Sequence, residues 1–203
     1  MVVRQKLERK EEKEKVRRAL LGATVRLAAT YGFSSLSLRE VAREAEIAPT
    51  SFYRHFEDME QLGLALIEES VGPGLLASVE PCRAAKRAWD VPGLLVKELF
   101  SWLDKDPELV RFMLAERVGS LEATRVAVGT RVDVFIDELR DAMRSAGSDE
   151  AIPPVVAEAI VVLAFEALLK ALDASPEQRQ AAREDVHTQL AILEAGIHAQ
   201  RQP

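Results

Sequence analysis

The stretch "APTSFYRHF", Ala48 to Phe56, gathers an unusual set of reactive and hydrogen-bonding side chains in a chain of 203 residues. Thr50 and Ser51 carry hydroxyls, Tyr53 a phenol, Arg54 a guanidinium and His55 an imidazole, with no carboxylate among them. At about 100° per residue, Phe52 and Phe56 fall about 40° apart and must turn inward. Thr50, Ser51 and Arg54 are then left on the outside, with Tyr53 and His55 on the flanks. Such a surface tolerates phosphate. A helix over 49–56 spans about 12 Å, the width of a B-DNA major groove. The short side chains of Ala48, Pro49, Thr50 and Ser51 let the backbone approach base edges, where the two hydroxyls can donate or accept. Arg54, Tyr53 and His55 have the reach to meet phosphates.

The neighbouring residues supply elements to hold that strip. Val16, Leu20, Ala23, Leu27 and Tyr31 recur at steps of four and three, which predicts one apolar face on a first helix, with Gly32 as its C-cap. Ser37 and Glu40 form a capping box that starts a short second helix, with Leu38, Val41 and Ala42 facing inward. Arg39 on that helix can reach a phosphate, and Ser37 with the amides behind it offers a helix N-terminus to another. "EAEI" is the turn, and Pro49 suits the first turn of a third helix. Asp58 and Gln61 start a fourth, which the pattern carries to about Leu76. A capped helix, a tight turn and a second helix with a polar outer face make a helix-turn-helix. Periodicity alone leaves a simple corner of a helical bundle equally open.

Further helices are predicted over about 91–103, 107–117, 121–146, 153–172 and 176–200. "VGPG" and "VEPC" are loop or kink signals, and "SAGSDEAIPP" is the clearest interior loop. No hairpin signature or internal repeat occurs. The expectation is an all-α chain of about nine helices. A three-helix helix-turn-helix head occupies 1–57, with its motif at 37–56, and a larger helical body occupies 58–203.

Charge is unevenly spread. Residues 1–66 hold 12 Lys/Arg against 10 Asp/Glu, a net of +2, while the remainder holds 15 against 23, a net of −8. The body should repel nucleic acid and the head need not. Enzyme chemistry finds little support. His187 and His198 lie about 16 Å apart on a helix, too far for one metal, and no glycine-rich phosphate loop or nucleophile elbow is present. Cys82 is the single cysteine, so the chain fits a reducing cytosol, where an inert thiol is expected. The charged first residues lack a signal-peptide core. Residues 153–172 are almost long enough to span a bilayer, but Glu158, Glu166 and Lys170 argue for a core or interface helix instead.

"SLSLREVAREAEIAPTSFYRHFEDMEQL", with its apolar first helix upstream, resembles the N-terminal domain of the TetR family of transcriptional regulators over roughly residues 12–70. The wording is most similar to the FabR/DesT-like branch, repressors of unsaturated fatty-acid biosynthesis. "LGL" at Leu62–Leu64, Glu69–Ser70 and "AERVG" at Ala115–Gly119 carry that finer likeness. The resemblance implies an all-helical homodimer on a palindromic operator in double-stranded DNA. It also implies a body that senses a hydrophobic small molecule, a long-chain acyl-CoA or acyl-carrier thioester. No cofactor is implied. The chain departs from the family pattern at Met59, where a phosphate-binding lysine is common, and at Ala45 and Thr50, where glycines are common. More of the phosphate contact then falls on Arg54, Arg39 and the N-terminal residues Arg4, Lys6, Arg9 and Lys10, which could enter a neighbouring minor groove or merely begin the first helix.

A single short reading helix makes few contacts, so such heads work in pairs. Val155, Ile160, Val162, Leu163, Leu169 and Leu172 are too many for one internal face and mark a pairing surface, with "HTQLAILEAGI" as its second member. A central core helix is the alternative. For the effector, Leu99, Phe100, Leu103, Phe112, Phe135 and Phe165 either line an acyl tunnel or are ordinary core. Arg83, Lys86 and Arg87 either contact coenzyme A phosphates or form a solvated basic turn. Arg117 is a further candidate for a buried polar contact, or else a structural ion pair with Glu116.

Overall fold

The computed structural model describes residues 2–147 and 153–199, with side chains from Arg9 onward. The segment 148–152, which holds half of the expected interior loop, and the side chains of Arg4 and Lys6 lie outside the described residues. Among the described residues there are nine helices and no strand, as the periodicity predicts. They are α1 (Val2–Tyr31), α2 (Leu38–Glu44), α3 (Pro49–Phe52), α4 (Met59–Ala84), α5 (Val91–Lys105), α6 (Pro107–Glu116), α7 (Glu122–Ser145), α8 (Pro154–Ala171) and α9 (Pro176–Ala199).

Helix α1 turns Leu20, Ala23 and Thr24 fully inward, while Val16 and Leu27 pack at the edge of the core. Tyr31, expected on that face, is instead 67% exposed. It falls on the last residue of the helix, beyond the packing that holds the preceding turns. Gly32 follows with φ +77° and its N–H donates to the Ala28 carbonyl, as a helix-ending glycine should.

Helix α4 is longer than its pattern predicts, running past Leu76 to Ala84, because neither "VGPG" nor "VEPC" breaks it. A π-helical turn at Ile67–Val71 precedes Gly72–Val79, and the chain continues into a 3-10 turn at Glu80–Ala84. Pro73 has no N–H to give and would leave a carbonyl unpaired in a regular helix. The wider turn absorbs this, with the Gly72 N–H reaching back five residues to the Ile67 carbonyl. This helix is long and apolar enough to cross a membrane, yet 56% of its apolar window is buried against the rest of the chain. It is the axis of the structure, packing on α7 along the body and touching α1 at its start.

The π turn also ties the two ends of the molecule to this axis. Glu69 pairs with Arg17 of α1, and its neighbour Glu68 pairs with Arg131 of α7. Phe33, just after α1, meets Phe112 of α6 edge-on at 5.7 Å. One continuous buried cluster therefore runs from Leu20 to Leu190.

The outer layer is the α8–α9 pair. Ile160 and Leu172, expected at a pairing surface, are buried within the subunit at 0% and 7% exposure. They sit on the face of α8 that packs on the core. Val155, Val162 and Leu169 are more than half exposed and recur every seven residues, forming a straight apolar stripe; Ile192 of α9 is exposed as well.

Close packing of α4 against the head depends on Gly63. A Cβ there would lie 2.6 Å from the Phe33 ring and 3.0 Å from Thr124 Cγ2. Gly63→Ala should cost about 1–3 kcal/mol, lowering the thermal midpoint by roughly 2–12 °C. Calorimetry on the purified variant would check this, and an unchanged midpoint would mean that α4 and Phe33 do not pack this closely.

Candidate nucleic-acid interface

The interface is built from the capping box outward. The Ser37 hydroxyl accepts from the Glu40 N–H at 3.4 Å, and the Glu40 carboxylate accepts from the Ser37 N–H at 2.8 Å and from its hydroxyl at 2.6 Å. These bonds hold the Glu40 carboxyl below its ordinary pKa, the Ser37 hydroxyl first. Ser37 thus starts α2 with its hydroxyl and N–H bonded to Glu40, and it remains exposed at that helix end. Arg39, two residues on, is exposed.

Val41 and Ala42 are fully buried under α2, with Leu38 at the edge. The turn then closes by an N–H of Ile47 reaching the Ala42 carbonyl at 2.8 Å. Glu46 takes the left-handed conformation at φ 57° that this closure needs. The left-handed position is thus Glu46, and Ala45 remains right-handed at φ −80°. No glycine is required at Ala45.

The third helix is shorter than expected. Regular α-helix covers only Pro49–Phe52, started by an extended Ala48 and by Pro49. After it the chain tightens, with the Arg54 N–H donating to the Ser51 carbonyl and that of His55 to the Phe52 carbonyl. These three-residue steps shift the strip from the regular helical wheel. Even so, the inward pair is as predicted. Phe52 and Phe56 are 0% and 2% exposed, with ring centroids 5.7 Å apart. Burying each contributes about 1.5–3 kcal/mol. Thr50, Tyr53 and Arg54 project outward, with Tyr53 65% exposed and its edge against Phe52; Ala48 and Pro49 are exposed too. Ser51 and His55 are half-buried on the side facing α1.

One residue that positions this strip is invisible to motif reading. The Arg17 guanidinium lies 4.4 Å from the centroid of the Phe56 ring and donates to the His55 carbonyl at 3.2 Å. It is held by Glu69, whose carboxylate raises the guanidinium pKa further. Arg17 thus closes the end of the reading turn against both α1 and α4. The only sequence signal is a cation beside Val16, at the rim of an apolar face. Met59, at the position where a lysine was looked for, packs against the core.

The effector candidates fall elsewhere. Leu99, Phe100, Leu103, Phe112, Phe135 and Phe165 are all between 0% and 2% exposed. Phe135 stacks on Phe165 at 6.0 Å, and Arg183 covers Phe100. These six form closed core in this conformation, and the grooves found on the surface are lined by other residues. Of the three basic residues after Cys82, Arg83 pairs with Glu80 and Glu138, and Arg87 pairs with Asp90; Lys86 is exposed. Two of the three are thus already matched by carboxylates. Burial pushes the Cys82 thiol up to about 12, which makes it inert.

Arg117 does not pair with Glu116. Its guanidinium lies 4.8 Å from the Phe165 ring centroid, burial lowers its pKa, and it lines a groove of about 530 Å³ with Asp133, Asp137, Arg140 and Glu158. Glu116, only 6% exposed, accepts from the Thr124 hydroxyl at 2.6 Å instead.

Comparison with known proteins agrees with this geometry. Residues 20–66 match the family model described as bacterial regulatory proteins, tetR family. The fold is similar to that of the fatty acid degradation regulator FadR from Bacillus halodurans, with TM-score 0.72 and 17% identity over 86% of this chain and 94% of that one. It is similar also to the transcriptional regulator FadR from Bacillus subtilis in complex with stearoyl-CoA, at 0.71 and 18% over 87% and 96%. A TetR family transcription regulator from Marinobacter aquaeolei VT8 gives 0.66 and 20% over 87% and 96%. Residues 20–66 are thus similar to the tetR-family model, and the chain as a whole shares the all-helical fold of these solved regulators.

Proposed function

We propose that this protein is a transcriptional repressor that binds a palindromic operator as a homodimer. We propose further that it is modulated by a long-chain fatty acyl-CoA or the matching acyl-carrier thioester. In this reading it acts in the cytoplasm on fatty-acid metabolism genes, those for unsaturated fatty-acid biosynthesis in particular. The observation that carries the DNA-binding part is the strip of Thr50, Tyr53 and Arg54, open to solvent and anchored from beneath by Phe52 and Phe56. Thr50 reads base edges, while Arg54, Tyr53 and Arg39 hold phosphates. The dimer would form through the exposed Val155, Val162 and Leu169 stripe with Ile192, an apolar surface that a lone subunit leaves wet.

Support for the lipid effector comes from what similar folds carry, since one neighbour is solved with stearoyl-CoA. In this chain a long acyl chain would have to part the packed core around Phe135 and Phe165. That requirement itself couples effector to DNA, because α7, which carries Phe135, packs on α4, and α4 carries the head. An unrelated hydrophobic molecule entering the same core is the alternative effector.

The head is tested with a duplex that the protein selects from a randomised library. Arg54→Ala should weaken binding across all sequences and make the dependence on salt shallower by about one log unit per head. Thr50→Ala should instead relax base preference at one position of each half-site, costing about 1–3 kcal/mol against the preferred base. Uniform loss from Thr50→Ala would remove it from base reading. For the effector, stearoyl-CoA and oleoyl-CoA are titrated in turn against the protein–duplex complex. One of them should change duplex affinity by roughly 5–150-fold, and the two should differ. No change with either would set aside the acyl thioester in favour of another hydrophobic ligand.

A further inference from the structure

Several arginines of this fold meet carboxylates: Arg17, Arg83 and Arg131 each pair with a glutamate, and Arg111 pairs with Asp173. Arg117 does not. Among the described residues its guanidinium has no ion pair and no hydrogen bond, and it rests 4.8 Å from the centroid of the Phe165 ring. Phe165 stacks in turn on Phe135, with the ring planes 6° apart. The guanidinium is half-buried, and burial lowers its pKa. A cation that has shed water without gaining a partner carries a cost that a seated anion offsets.

Arg117 faces the groove of about 530 Å³ between α7 and α8, a volume in the range of small-molecule sites. Val132, Ile136, Val161 and Val162 give this groove apolar walls. Its remaining charges divide by exposure. Arg140 pairs with Asp137, while Asp133 and Glu158 are exposed on the rim. Water already satisfies those two carboxylates, and they act on a ligand only as a screened negative border. A single negative charge seated against Phe165 therefore gains more from the half-buried guanidinium than it loses to the rim. A head group with several negative charges outside the groove meets the rim alone. Gly129 lies along the groove where an added Cβ would meet nothing within 4 Å, so the floor is open there.

We propose that this groove binds a monocarboxylic acid with an apolar tail, in its anionic form. The carboxylate accepts two parallel N–H bonds from Arg117, the planar match that a guanidinium makes and an ammonium does not. The tail lies along Val132, Ile136, Val161 and Val162, and no part of the packed core has to open. The proposal goes beyond the effector reading above, because the site is an existing groove on the body and the ligand is a free acid. An alcohol of the same length leaves the guanidinium unpaired. A coenzyme A thioester offers one carbonyl oxygen in place of two carboxylate oxygens and sets its phosphates against Asp133 and Glu158.

The test titrates decanoate, decan-1-ol and decanoyl-CoA in turn into the full chain by calorimetry. It is repeated with Arg117→Gln, with Gly129→Leu and with an Asp133→Asn/Glu158→Gln double variant, after each has been checked for helicity and thermal midpoint. Wild type should bind decanoate roughly 10–100-fold more tightly than the alcohol, and Arg117→Gln should erase that preference. Gly129→Leu should keep or raise the midpoint, since leucine favours helix over glycine, yet it fills the groove and should abolish decanoate binding. If Arg117→Gln lowers the midpoint, Gly129→Leu decides the matter. The double variant should bind decanoate roughly two- to fivefold more tightly and gain more for decanoyl-CoA. Equal binding of acid and alcohol, a preference that survives Arg117→Gln, or unchanged decanoate binding in Gly129→Leu would each overturn the proposal. An acyl-CoA that shifts operator affinity while decanoate does not bind would remove the groove and leave the thioester effector in place. Decanoate binding that Gly129→Leu abolishes, with no response of the operator complex to acyl-CoA, would uphold the groove and remove the thioester.

Discussion

The structure turns on two phenyl rings. Phe52 and Phe56 are the inward side chains of a stretch that is otherwise largely exposed, and both are buried in the continuous core. With only four residues of regular helix, the reading segment has too few internal hydrogen bonds to hold its own shape. Its geometry is imposed from below by those rings and from the side by Arg17, which covers Phe56 and holds the His55 carbonyl. Once they are fixed, Thr50, Tyr53 and Arg54 have nowhere to go but outward. A rigid base under a short polar strip lets few residues make specific contacts with little loss of side-chain freedom.

The same economy explains why head and body are not independent. The helix that begins under the reading turn at Met59 continues through a π turn into the centre of the body. At that turn adjacent glutamates grip opposite partners, Glu69 taking Arg17 from the head and Glu68 taking Arg131 from α7. Exposed pairs of this kind add little stability, so their importance is geometric. A rearrangement in the body that shifts α7 against α4 is felt at the reading turn through one helix and two arginines. Under the proposed function, the mutual packing of Phe135, Phe165 and their neighbours is what an effector would disturb.

Much of this was legible in the residues themselves. The capping box at Ser37 and Glu40, the start at Asp58 and Gln61, and the inward Phe52 and Phe56 are local rules with short range, and the structure follows them. Five body helices appear within about two residues of where apolar periodicity places them. What could not be read was long-range. Nothing near Arg17 in sequence says that it meets Glu69, 52 residues away, or that the loop or kink signalled around Pro73 would take the form of a π turn. Equally, an aromatic residue on an inward face reads the same whether it lines a tunnel or fills a core. Phe135 and Phe165 fill a core here. The face of α8 divided for the same reason: Ile160 and Leu172 pack inside while Val155, Val162 and Leu169 stay outside, a split that depends on where the neighbouring helices lie.

The central claim concerns one surface and can be checked at one residue. A photoreactive benzoylphenylalanine in place of Tyr53, irradiated on the selected duplex, should cross-link to DNA bases or backbone within the half-site. A cross-link to the protein itself while the duplex is demonstrably bound would mean that DNA is held by some other face, and the account given for this strip would be wrong.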